Sequence, residues 1–90
     1  MREFPQKNPL HVGENPWVKL DAGRYTLAVG GQFNGATCYI ERHSNGGAAK
    51  WLPVIGPFTE SIAVQFETSA AYRYRLRIEG KAPDLSLVVE

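Results

Sequence analysis

The stretch Gly30-Gly31-Gln32-Phe33-Asn34-Gly35-Ala36-Thr37, inside VGGQFNGATCYIERHSNGG (Val29–Gly47), has two readings that lead to different folds. It fits the phosphate-binding loop pattern G-x-x-x-x-G-K-[ST] at every fixed position but one, with Ala36 where the lysine belongs. A phosphate loop must open a helix, whose N-terminal amides hold the phosphate, and its lysine neutralises the outer phosphates. Here Gly35 is followed by ATCYIER, where Ala36, Cys38 and Ile40 alternate with Thr37, Tyr39 and Glu41. Period-two alternation is the pattern of a strand, and two glycines with Asn34-Gly35 are what a tight connection with φ > 0 requires. The stretch therefore reads as a hairpin turn, a strand and a second turn, HSNGGA.

The same grammar extends in both directions. WVKL (17–20) precedes the turn DAG, and RYTLAV places Tyr25, Leu27 and Val29 on one face. AKWLPVI (49–55) reads as a strand whose Pro53 argues for an edge or a bulge. IAVQF puts Ile62, Val64 and Phe66 together, and YRYRLRI and LSLVV complete the series. Seven short alternating segments separated by Gly, Pro, Asn, Asp and Ser, with no sustained helical spacing, predict an all-β fold. The architecture expected is a small antiparallel β-sandwich, jelly-roll or immunoglobulin-like, over residues 17–90.

Residues 1–16 differ in kind. They hold Pro5, Pro9 and Pro16 among polar residues, and proline fixes φ and removes a ladder donor. This segment reads as an extended N-terminal arm able to reach roughly 50 Å at ~3.3 Å per residue. Phe4, Leu10 and Val12, with Trp17 at its end, are too apolar for a purely solvated tail. They make the arm a candidate partner-binding element, one whose removal would leave the β-body intact.

A chain of 90 residues forms one domain, marginal unless it assembles. The 43% hydrophobic and 21% charged residues are ordinary for a globular fold. A net charge of +1 lacks the footprint of a general nucleic-acid binder. The single Cys38 excludes an internal disulfide. No signal-peptide core or bilayer-length run is legible, so synthesis in a cytoplasm, without export or membrane insertion, is expected.

Sites for chemistry do not assemble from these residues. Cys38 and His43 fall on opposite faces of one strand, and His11 lies in the arm, so no metal site is expected. His43-Ser44 are neighbours in a turn without an orienting carboxylate. Glu41 and Glu67 form an acid–base pair only if their strands adjoin. Cys38, sharing a face with Ala36 and Ile40, reads as a buried hydrophobe.

The unusual feature is YRYRLRI. Arg73, Arg75 and Arg77 lie on one face, with Tyr72, Tyr74, Leu76 and Ile78 on the other. Three guanidinium groups in a row suit carboxylates or phosphates. Glu41, Glu60, Glu67 and Glu79 are available as internal partners, so the face reads as solvated or paired within the chain, with a protein contact and then nucleic-acid binding as the alternatives. Trp17, Trp51, Tyr25 and Tyr39 are candidates for a carbohydrate-binding platform, or for core and subunit contacts.

The stretches GRYTLAVGGQFNGATCYIER, KWLPV with GPFTES, and AYRYRLRIEGKAPDLSLVVE resemble the small all-β structural proteins of tailed-phage virions, the capsid decoration, cement or head-fibre class. Those chains run as a glycine-initiated strand, a phrase like F-x-G-A-T opening the next, and a Trp-containing third strand. A Y-R strand and a final strand then follow a short Gly/Pro turn. The resemblance spans Leu20 to Glu90 and leaves out the arm. It implies a non-enzymatic, cofactor-free virion protein that binds the major capsid protein and stabilises the lattice, as a homotrimer. The alternative is a carbohydrate- or ligand-binding β-sandwich module.

Overall fold

The tyrosines and aliphatics of YRYRLRI turn inward and its arginines outward, and this alternation anchors one of two sheets. The computed structural model describes residues 2–3, 12–43 and 50–90, with side chains in the latter two ranges. The expectations for Phe4, Leu10, His11 and Ser44 lie outside the described residues. The strands are β1 (Arg2–Glu3), β2 (Gly13–Glu14), β3 (Val18–Leu20), β4 (Gly23–Gln32) and β5 (Thr37–His43). They continue as β6 (Trp51–Phe58), β7 (Ile62–Thr68), β8 (Tyr72–Glu79) and β9 (Asp84–Val89).

One sheet has the order β1-β9-β4-β7 and the other β2-β8-β5-β6, with β3 also on β8. The pairing is nested: β1 with β9, β2 and β3 with β8, β4 with β7, β5 with β6, all antiparallel. That is a long hairpin folded over on itself. The pairs β4–β9 and β5–β8 then join it into two sheets. First strand with last, second with next-to-last is the winding of a jelly roll, which distinguishes it from the immunoglobulin order.

Leu20, Leu27, Cys38, Ile40, Ile78 and Val89 are almost wholly buried between the sheets. Each aliphatic side chain of this kind contributes about 1.5–3 kcal/mol by leaving water. Phe66 continues the core toward the β7 edge, with its ring centroid 5.7 Å from those of both Tyr25 and Tyr74. Pro53 sits on an edge strand and beside a register irregularity at once: Ile55 opposes Ile40, but Pro53 opposes Glu41.

The Phe33–Ala36 turn is where the structure corrects the sequence reading. Asn34 and Gly35 have φ of 55° and 88°, and the Ala36 N–H donates to Phe33 O at 2.9 Å, as in a type I′ turn. Yet β4 and β5 do not pair with each other; they belong to different sheets. The turn is a corner between sheets rather than a hairpin. Its two flanking residues, Phe33 and Ala36, are both buried, and Phe33 meets Phe58 edge-on at 6.1 Å. Core burial on both sides of the turn carries the chain across the sandwich.

Parts of the segment 1–16 are in the sheets. Arg2 and Glu3 pair with Val89 and Val88. Gly13 and Glu14 oppose Ile78 and Arg77, and Val18 opposes Tyr74, so Asn15-Pro16-Trp17 faces only Leu76 and Arg75. Three residues against two is a bulge, and it accommodates the donor that Pro16 lacks. Buried Asn15 compensates: its backbone N–H donates to Leu76 O at 3.0 Å, and its Nδ2 donates to the same oxygen at 3.3 Å.

Candidate binding surface

The outward face of the β3/β2-β8-β5-β6 sheet carries the arginine row. On β5, Tyr39, Glu41 and His43 stand opposite Arg77, Arg75 and Arg73. On the other side of β8, Glu14 faces Arg77 and Lys19 faces Arg73. Trp51 on β6 lies beside His43. Arg73, Arg75 and Arg77 thus share one face, as the alternation requires, and Trp17 joins them from the bulge. Val12, just before β2, is exposed, and among the described residues no contact ties it to the arginine row.

The face is divided along its length. At one end, Glu41 accepts from Arg75 Nε at 2.9 Å and from Arg77 Nε at 3.0 Å, with its side chain only 6% exposed. Arg77 Nη1 donates to Glu79 at 2.7 Å, and Glu14 lies 3.9 Å from Arg75. The hydrogen bond from Arg77 holds the Glu79 carboxyl below its ordinary range, helped by the Tyr39 hydroxyl, and the same bond raises Arg77. At the other end stand Arg73 and Lys19. Among the described residues no carboxylate lies within ion-pair reach of Arg73.

Each arginine also lies over an aromatic ring: Arg73 over Trp17 at 4.9 Å, Arg75 over Trp51 at 4.1 Å, Arg77 over Tyr39 at 4.4 Å. His43 packs edge-on against Trp51, with ring centroids 5.0 Å apart. Trp51 and Tyr39 are therefore engaged by their own chain, while Trp17 remains 48% exposed. Tyr25 lies in the other sheet, stacked on Phe66 with its hydroxyl on Asp21 O at 2.6 Å. The four rings do not form one platform.

The remaining candidates separate. Glu67 pairs with Arg24 at 2.7 Å in the opposite sheet from Glu41, so the conditional acid–base pair does not form. Cys38 is fully buried, and burial pushes its thiol up to about 11. Among the described residues no group of histidine, cysteine and carboxylates is placed to hold a metal ion. Among the described residues no helix is long and apolar enough to cross a membrane. A second kind of surface appears at the β6 edge, where Leu52 and Val54 are 55% and 43% exposed.

What the sequence reading missed is the place of Glu41 and Lys19. Alternation puts Glu41 on the arginine face, but only the β5–β8 register sets it between Arg75 and Arg77. Lys19 meets Arg73 only because the bulge at Pro16 shifts β3 by one residue. No protein-family model matches the chain, and no curated protein and no solved structure matches it.

Proposed function

We propose that the protein is a non-enzymatic structural component of a tailed-phage virion, a homotrimer that binds the major capsid protein and stabilises the lattice. The observation that carries this reading is the β6 edge. From Trp51 to Phe58 the strand bears no charge, and Leu52 and Val54 project into solvent from it. Free edges are normally blunted with charges, whereas an uncharged apolar edge gains by being covered. A second copy of the chain is the occupant: 90 residues around so small a core leave stability thin, and assembly supplies the missing burial. Pro53 and Pro57 interrupt this edge strand, and proline on an edge disfavours open-ended strand addition and favours side-chain contact in a closed assembly.

The family resemblance supplies the virion and the trimer number, and the jelly roll agrees with it as a fold shared by viral coat proteins and lectins. Exposed Trp17 favours the second reading, a carbohydrate- or ligand-binding module, while the guanidinium groups over Trp51 and Tyr39 count against a ring platform.

The test is co-purification of the tagged protein with phage particles. A copy number locked to the capsid lattice is the expected result. Recovery only in the particle-free fraction, from infected cells expressing it at normal level, overturns the reading.

A further inference from the structure

The corner formed by Trp17, Lys19 and Arg73 is open as a groove over Ala71 and Tyr72. Lys19 and Arg73 are directly opposed on neighbouring strands, a placement of like charges that is unfavourable by itself. Among the described residues the carboxylates that pair with this arginine row are Glu14, Glu41 and Glu79, and they surround Arg75 and Arg77. The ion pairs of the row therefore gather on Arg75 and Arg77, and Arg73 takes none among the described residues.

Like Arg75 and Arg77, Arg73 lies over an aromatic ring, but its ring is the one left most open to solvent. The Trp17 ring lies 4.9 Å from its guanidinium carbon, a contact that favours this placement of the side chain. Its donors lie in the guanidinium plane, and no carboxylate among the described residues takes them. A fork of donors held by a ring, a second cation across the ladder and an exposed indole beside them make a site with two kinds of contact. The cations bind an oxyanion, and the indole covers an apolar group attached to it.

We propose that this corner binds a carboxylate carried next to an apolar side chain, as in an acidic segment of a partner protein. A polyphosphate or nucleic-acid backbone is disfavoured, because the chain is nearly neutral and the far end of the same face is acidic. The inference needs only the corner itself. It stands or falls separately from the virion reading.

The test is an NMR titration of the full chain, following the Trp17 indole N–H and the Arg73 Nε–H. The probe is the acetylated, amidated tripeptide Leu-Glu-Leu, with Leu-Gln-Leu as its neutral counterpart and inorganic phosphate as the competing anion. Saturable shifts of both signals with Leu-Glu-Leu are expected, at least tenfold weaker with Leu-Gln-Leu. The variants Arg73→Gln and Trp17→Ala, folded by their spectra, should each lose the response. Equal response to the neutral peptide, tighter saturation by phosphate, or a response that survives in Arg73→Gln would each overturn the proposal. If either variant fails to fold, Lys19→Gln is the second readout, with a weakened Leu-Glu-Leu response expected and an unchanged one contrary to the proposal.

Discussion

Arg75 and Glu41 stand directly opposite each other on β8 and β5, joined by a 2.9 Å hydrogen bond on a face that would otherwise be solvated. Glu41 is the shared acceptor for two arginines, and its side chain is nearly shut off from water. Removing it leaves two neighbouring guanidinium groups on one face of β8 without their shared acceptor. Breaking a buried pair by deleting one partner costs about 3–5 kcal/mol, and the partial exposure of both arginines reduces that. Glu41→Ala is expected to lower unfolding stability by about 2–3 kcal/mol, and Glu41→Gln by less, as read in urea titrations. A loss below about 0.5 kcal/mol in Glu41→Ala would show that the network is superficial.

Cys38 should make the alkaline limb of stability steeper. Its folded pKa is raised by burial to about 11, from an ordinary value of 9.0. The folded state therefore keeps a proton that the unfolded chain releases. The thiol's contribution is fully present below about pH 9 and is lost as pH rises toward 11, an interval worth about 2–3 kcal/mol. Between pH 8 and 11 the native protein should lose about that much more stability than Cys38→Ala. The thiol should also resist a disulfide reagent at pH 8 until the protein is unfolded.

Two glycines with positive φ should respond differently to alanine. A Cβ on Gly31 would sit 2.3 Å from Asp84 O, at φ +132°, so the β4–β9 contact must open to admit it. A Cβ on Gly35, at φ +88°, meets no heavy atom within 4 Å. Gly35→Ala carries only backbone strain, about 1–2 kcal/mol. Gly31→Ala adds a steric displacement of backbone and should cost at least twice as much in thermal or urea unfolding. Equal costs would mean that strain alone governs both positions.

These contrasts mark what was legible in the sequence and what was not. Side-chain parity was legible strand by strand: Cys38 with Ala36 and Ile40 inside, and the arginines of YRYRLRI outside. It follows from the two-residue period alone. Which strands adjoin was not legible, because Asn34-Gly35 specifies a type I′ turn and not whether the next strand stays in the same sheet. Burial of Phe33 and Ala36 decided that. Register between strands far apart in the chain, which sets Glu41 between Arg75 and Arg77, has no local signal. The single-residue shift at Pro16 was hidden for the same reason, since proline signals an interruption but not its length.

The β6 edge supplies a direct test of assembly. Leu52 and Val54 make little contact with their own sandwich, so replacing both with lysine should leave monomer stability within about 1 kcal/mol. Two new charges on the edge should block a neighbour. Sedimentation of the native chain at micromolar concentration should show a trimer, and Leu52→Lys/Val54→Lys a folded monomer of about 10.0 kDa. A native monomer would remove the assembly reading, and a trimer persisting in the double variant would move the interface elsewhere.

The segment 1–16 gives the last test, and the outcome expected from its prolines is opposite to the one expected from its hydrogen bonds. A proline-rich arm that only binds could be deleted without affecting the β-body. In the structure, however, Gly13 and Glu14 pair with β8, and Asn15 places two donors on Leu76 O. Deleting residues 1–16 uncovers that carbonyl and part of the β8 edge, together with the outer edge of β9 where Arg2 and Glu3 pair. Unsatisfied backbone groups of this kind cost about 1–3 kcal/mol where they stay buried, and less where water reaches them. The 1–16 deletion should therefore lower the midpoint of thermal unfolding by several degrees. Deletion of 1–11 keeps β2 and Asn15, and should cost clearly less. Asn15→Ala in the full chain isolates the side-chain part, with a loss of about 1 kcal/mol expected. If the 1–16 deletion melts with the native chain, β2 adds nothing to the sandwich and the boundary of the folded body lies at Trp17.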